Sequence, residues 1–339
     1  LIRLVGALTL SISNPLVRAA DAPPTLPTVG LAASHPGDVG LADDPRVVFV
    51  ENFEEETVAA LAGRWEAVNA VDSMSFTNDV PAGSAGRKSL VMDRQTGSGG
   101  SLYRRLANKD GGFGHDRIFA RYYVKFDADC GEIHHFGTCI GGNNPASRWP
   151  VVNAGFPTDG AKSFWSGIEP FGKSWTWDYY TYWSEMRGSP PRGQTWGNSF
   201  VQDPALKVEK SRWICVEHMI RMNTVGESDG EQALWIDGKL VSHLGRGFPK
   251  GVWKFDRFYP GQGGEGIRWN QQKGDRERFP TPADGAPFEG FQWRTVPELN
   301  VNFLWVYVYT EKPAGHRIRV QFDDVVVATE YIGPIQPRH

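Results

Sequence analysis

Apolar and polar positions alternate most cleanly in Arg117–Phe126, which reads RIFARYYVKF. Ile118, Ala120, Tyr122, Val124 and Phe126 fall on one side, and Arg117, Phe119, Arg121, Tyr123 and Lys125 on the other. A period of two sends successive side chains to opposite faces of a strand. One face is therefore set for a core, while the other is cationic and aromatic. That second face suits an acidic sugar polymer, with cations meeting carboxylates and rings meeting sugar faces. It equally fits an ordinary solvated face of a half-buried antiparallel strand.

Further β-rich runs are expected at 46–50, 69–75, 88–92, 132–140, 164–169, 179–186, 213–223, 232–236, 239–244, 299–309 and 318–331. Turn-forming Pro81-Ala82-Gly83 and the glycines of 97–100 separate some of them. Asp237-Gly238 between two such runs predicts a tight hairpin. A weak helical patch is expected over 55–67. Strands dominate and turns recur, which predicts one all-β domain over about 46–335, a β-sandwich or jelly roll of antiparallel strands. Residues 246–297 break the rhythm with many Gly, several Pro and scattered Arg, Trp and Phe. They read as a long insertion. Trp253, Tyr259, Arg268, Trp269 and Trp293 are its candidates for lining a cleft, and a self-packed surface insertion is the alternative.

The two ends read differently. Residues 1–20 have Arg3, a short apolar run and small residues at Ala19 and Ala20. This is the pattern of a secretory signal peptide. Residues 21–45 are rich in Pro, Ala, Gly and Asp without periodicity, as in a linker or disordered leader. No stretch is long and apolar enough for a membrane span. The expected location is secreted or periplasmic.

Composition narrows the partner. A net charge of −3 over 339 residues excludes a globally basic nucleic-acid binder, so an anionic ligand must meet a local cluster. The 13 Trp, 19 Phe and 10 Tyr serve either carbohydrate stacking or a large β core. Cys130, Cys139 and Cys215 cannot all pair within one chain. A Cys130–Cys139 clip and three buried thiols are both open.

The candidate chemistry lies between Arg117 and Met186. His134-His135-Phe136-Gly137 runs on to Gly141-Gly142, and the aromatic stretch Tyr179-Tyr180-Thr181-Tyr182-Trp183 follows. Tyr180 and Tyr182 share one strand face, and adjacent His134 and His135 point to opposite faces. Together with WIDGKLV and FDDVVVATEYIG, these segments resemble the polysaccharide lyases of the concanavalin-like jelly-roll type. The layout is most similar to polysaccharide lyase family 14, alginate and glucuronan lyases, with family 20 glucuronan lyases as relatives. The resemblance spans roughly residues 47–333. Counting back from Gly141-Gly142 places His135 where the family has a lysine, and Gly137 where it has a proline. The family's Tyr-x-Tyr pair falls on Tyr180 and Tyr182.

The resemblance implies cleavage of a uronate polymer by β-elimination, with His135 and Tyr180 or Tyr182 transferring protons. Histidine suits a base near neutral pH, and tyrosine suits an acid. The strand pattern adds Arg121 as a carboxylate clamp, with Arg148 and Arg221 behind it, since a guanidinium binds carboxylate bidentately. His134, Glu169, Trp183 and Trp269 are further substrate-binding candidates. The reaction requires no cofactor. A structural calcium is expected where the first and last strands meet, with Glu51 and Asp324, near Glu54 and Asp323, as oxygen donors. The expected partner is an acidic polysaccharide, met by a monomer. A non-catalytic carbohydrate-binding jelly roll and a glycoside hydrolase using Glu169 and Glu185 are the alternatives.

Overall fold

The alternation of Arg117–Phe126 becomes the centre of a sandwich. In the computed structural model the described residues are 25–94, 98–133, 135–151, 154–189, 191–197, 199–201, 203–249, 251–254, 257–260, 265–270, 272–281, 283–309 and 317–338. The chain enters β1 (Val47–Glu51), β2 (Ala67–Asn69), β3 (Met74–Thr77), β4 (Ser89–Arg94) and β5 (Ser98–Arg105). Next come β6 (Arg117–Phe126), β7 (His135–Asn143), β8 (Ser163–Phe171), β9 (Thr176–Tyr182) and β10 (Ile214–Arg221). The hairpin β11 (Glu231–Ile236) and β12 (Lys239–Leu244) follows. Five short strands make the insertion: β13 (Gly251–Lys254), β14 (Arg257–Pro260), β15 (Glu265–Asn270), β16 (Asp275–Pro280) and β17 (Ala286–Pro287). Strands β18 (Phe303–Tyr309) and β19 (Ile318–Ala328) close the domain.

Two antiparallel sheets carry the fold. One has the order β12-β11-β10-β6-β19-β4-β3, with β1 also on β19. The other runs β2-β5-β18-β7-β8-β9. The expected turn forms: Asp237 and Gly238 both have positive φ, 49° and 75°, between β11 and β12. Residues Tyr122, Val124 and Phe126 point between the sheets and are buried. Across that gap Phe136 of β7 meets Phe126 at 4.9 Å and stacks on Phe322 at 5.4 Å. Burying each such ring contributes about 1.5–3 kcal/mol, and this layer joins the sheets.

The other face of β6 is not the open cationic face the alternation suggested. The stretch expected to be a leader carries three 3-10 turns, Leu31–Ser34, Pro36–Asp38 and Leu41–Asp43. Leu31, Ala32 and Leu41 are buried there with Phe119, Met219, Trp235 and Tyr331. Leu31 N–H donates to Tyr331 O at 3.0 Å, and Ala32 N–H to Ile332 O at 2.9 Å. Composition hid this segment because its conformation is fixed by docking, not by an internal period. The expected helical patch is one 3-10 element, Val58–Gly63, capped by the Thr57 hydroxyl. The three cysteines are free and buried.

The insertion packs inward where its cleft-lining role was expected. Trp253 sits among Trp183, Phe200, Phe258 and Phe288, and Trp293 stacks on Phe291 at 4.3 Å. Tyr259 is also buried. The β15–β16 hairpin is tied to edge strand β9 by a buried ion pair, Arg276 to Asp178, at 3.0 Å.

Candidate active site

The second sheet's outward face holds a cavity of about 560 Å³. Strand periodicity builds it. Trp305, Tyr307 and Tyr309 of β18, His135 of β7, Trp165 of β8 and Tyr180 of β9 all line it. Cross-strand register sets Tyr309 opposite His135 and Tyr307 opposite Gly137. It also sets Gly167 opposite Tyr180. Gly137 has φ +127°, and a Cβ there would lie 2.0 Å from Ile168 O, so only glycine allows β7 to run this close to β8. Gly167 adds no side chain beside Tyr180, which leaves the floor open between the rings.

His135 is held on three sides. Its ring stacks on Tyr180, with centroids 4.3 Å apart and planes 16° apart. Tyr309 lies parallel at 6.3 Å. Its Nδ1 is 3.1 Å from Glu169 Oε2, and the Glu169 side chain is only 2% exposed. A carboxylate there accepts the Nδ1 proton and leaves Nε2 with its lone pair.

The tyrosine pair forms one unit. Tyr180 Oη and Tyr182 Oη are 3.2 Å apart. Tyr182 Oη also accepts from Gly155 N–H at 3.0 Å and donates to Thr195 O at 3.2 Å. With its proton given to Thr195, Tyr182 receives the Tyr180 hydroxyl proton. Tyr182 is fully buried under Trp165, whose ring stacks on it at 4.9 Å. Tyr180 lines the cavity and Tyr182 supports it from below. Burial, then the neighbouring Tyr182, Glu169 and Tyr307, push the Tyr180 hydroxyl well above its usual range. It therefore stays protonated as a potential acid. Tyr307 is raised in the same sense, by burial first.

Several expected residues lie elsewhere. Arg121 is fully buried on the opposite sheet. It pairs with Asp38 and donates to Gly333 O at 3.1 Å and Asp324 O at 3.2 Å. It is a structural cation there, not a clamp. Arg221 also belongs to that sheet, where it pairs with Glu231. Trp183 is buried in the aromatic cluster beside the insertion. Glu169 holds His135 from below and does not line the cavity. Arg148 is exposed next to Trp149, which lines the rim and is 45% exposed. His134 and the side chain of Trp269 lie outside the described residues. Glu185 bonds Ser228 at 2.8 Å and does not join Glu169.

The expected calcium donors are divided. Glu51 accepts from Phe53 N–H and Trp65 Nε1, each at 2.8 Å, and pairs with Arg64. Asp323 and Asp324 are buried neighbours, and Oδ2 of each has no hydrogen-bond partner. Burial raises both carboxyl groups, with repulsion from Asp324 adding to the rise at Asp323 and from Asp38 and Glu54 at Asp324. Among the described residues, no three His, Cys, Asp or Glu side chains converge to hold a metal.

The sequence reading missed Trp149, Trp165, Trp305, Tyr307 and Tyr309 as lining residues. The alternation Trp305-x-Tyr307-x-Tyr309 was the available signal, since it sets three rings on one strand face.

No family model and no curated protein matches the chain. Solved structures do. The structure of alginate lyase Aly36B matches 86% of this chain and 98% of its own, at 11% identity and TM-score 0.50. A mutant of it in complex with alginate tetrasaccharide matches 84% and 98%, at 11% identity and TM-score 0.51. The marine PL-14 alginate lyase from Aplysia kurodai matches 84% and 99%, at 12% identity and TM-score 0.49. At 11% identity the two Aly36B likenesses establish the fold alone, an antiparallel jelly-roll sandwich. That agrees with the resemblance read from the sequence. Among the described residues no helix is long and apolar enough to cross a membrane.

Proposed function

We propose that the protein is a polysaccharide lyase that cleaves a uronate-containing polymer, of alginate or glucuronan type, by β-elimination. The observation that carries this reading is the His135–Tyr180 stack over Glu169, with both rings lining one aromatic cavity. His135 Nε2 takes the C5 proton of the uronate. The electron pair released forms the C4–C5 double bond, and the C4–O4 bond breaks. Tyr180 gives its proton to O4, and the phenolate left behind and the proton held on His135 are reset by exchange with solvent as the product leaves. A hydroxyl held protonated by burial cannot be the resting base, which leaves Tyr180 the acid role. Arg148, exposed and adjacent in sequence to the rim residue Trp149, is the candidate that neutralises the uronate carboxylate. Trp149 and Trp305, the less buried of the lining tryptophans, offer ring surface to sugars.

A lyase leaves a 4,5-unsaturated uronate. Purified protein is therefore to be screened on alginate, glucuronan and glycosaminoglycans for the ultraviolet absorbance of that product. Absence of the chromophore on every uronate polymer contradicts the reading. A polymeric substrate lies outside the cytoplasm, so export with a removed leader over 1–20 is part of the proposal, and action as a monomer is proposed alongside it. A single domain with its insertion at 246–297 also stays a proposal, and the docked segment 31–43 belongs to it rather than to a linker.

A non-catalytic carbohydrate binder is the second reading, favoured by the ring-rich lining alone. Hydrolysis is disfavoured because a glycosidase needs two carboxyl groups facing the scissile bond. Asp178, opposite Glu169 in register, instead accepts from the N–H groups of Ser199, Phe200 and Val201 and pairs with Arg276. Structural calcium remains a separate proposal, supported by the unpartnered oxygens of Asp323 and Asp324. A Tm that rises with added calcium and falls with chelator supports it; an unchanged Tm removes it.

A further inference from the structure

The cationic face of β6 is covered along most of its length, but its Arg117 end is not. Arg117 is exposed, and the antiparallel register places Arg221 of β10 directly opposite it. Like charges directly opposite in such a pair are destabilising. Arg221 is offset by Glu231, its partner on β11. Arg117 has no carboxylate partner among the described residues. Its Nε donates to Thr329 O at 3.2 Å, and its guanidinium lies 5.7 Å from the Phe119 ring centre.

The two arginines stand between two cavities and line both. One, of about 500 Å³, has Leu31, Phe119, Met219 and Tyr331 among its lining and Arg46 beside them. The other, of about 470 Å³, is lined by polar groups that include His115, Asn223 and Arg294. Volumes of this order hold small ligands. The acids present are committed: Glu330 to Arg46, Glu231 to Arg221 and His243, and Asp116 to Arg294. Arg117 is the cation left to meet an anion, and it is common to both cavities.

We propose that this groove is a second, non-catalytic binding site for an acidic oligosaccharide. One uronate carboxylate bridges Arg117 and Arg221, and adjoining sugar units extend into the two cavities. The site lies on the opposite sheet from the His135 cavity. It would hold the polymer while the cleft cuts it. Only the choice of ligand rests on the lyase reading.

The test is calorimetric titration of Tyr180→Phe protein, chosen for slow turnover, with alginate tetrasaccharide and with glucuronan tetrasaccharide. Two sites are expected for at least one of them. Adding Arg117→Ala should weaken one site at least tenfold and spare the other, while Arg117→Lys should retain part of it. Trp149→Ala should weaken the complementary site. Arg117→Ala in the otherwise native protein should leave kcat on short oligosaccharides unchanged and raise the KM for long polymer. Absence of the unsaturated product from the native protein on every uronate polymer, with persistent Arg117-dependent binding, would sink the lyase reading and keep this site. Binding indifferent to Arg117→Ala overturns the site. So does complete displacement by inorganic sulfate at the oligosaccharide's own concentration, which would make it an inorganic-anion site.

Discussion

The His135 imidazole lies parallel to the Tyr180 ring, centroids 4.3 Å apart, with Nδ1 turned to Glu169. Base and acid candidates are thus packed as one rigid unit. Tyr180→Phe keeps the stack and removes only the hydroxyl. We expect kcat to fall by roughly 10²–10⁴, the usual contribution of a general acid, with KM little changed. Tyr182→Phe should cost less, because it acts through Tyr180. Steady-state kinetics on both variants checks the order.

Glu169 fixes which imidazole nitrogen carries the proton. Glu169→Ala should lower kcat with KM spared, by roughly tenfold or more, as for other groups that orient a functional histidine. Glu169→Gln keeps one oxygen acceptor and should recover part of the loss. Equal effects of both variants on KM alone would mean that Glu169 binds substrate directly.

Arg121 buries a full charge whose carboxylate partner is Asp38, far away in sequence. Asp38→Ala leaves that charge unpaired, which typically costs about 3–5 kcal/mol. Chemical denaturation should report a loss of this size. Activity per folded molecule should be unchanged, since neither residue reaches the cavity.

Glu217 is fully buried and accepts from Ile332 N–H at 2.7 Å and Gly333 N–H at 2.8 Å. Burial pushes its carboxyl up from 4.5 to about 7, against the pull of those bonds. The folded state thus binds this proton more tightly than the unfolded chain. Its stabilising contribution is complete below about 4.5 and is lost as pH rises through about 7. His218 has the opposite sign. Burial lowers it from 6.5 to about 3, so its contribution is present above 6.5 and is lost as pH falls toward 3. In Glu217→Gln the Tm relative to the native protein should rise between pH 4.5 and 7. A constant offset across that window would contradict the assignment.

The period of two was enough to read β6, the shared face of Tyr180 and Tyr182, and the Asp237-Gly238 turn. Those features depend on neighbours in sequence. Which face is covered depends on distant segments, and there the reading failed. Nothing local to RIFARYYVKF indicates that Asp38 and Gly333 close over Arg121. Trp183, Trp253 and Trp293 have the composition of a sugar platform, yet tertiary packing makes them core. The lining rings of β18 were legible as an alternation, but a strand covered on both sides has the same pattern.

The central claim is tested most directly by counting two products of the same cuts. Native protein is incubated with the polymer that gives the strongest signal, and unsaturated uronate and new reducing ends are measured together, beside His135→Ala and Tyr180→Phe. One unsaturated end per new reducing end is predicted for the native protein, with both signals lost in parallel in the variants. Reducing ends without the chromophore, or cleavage undiminished in His135→Ala, would contradict the account.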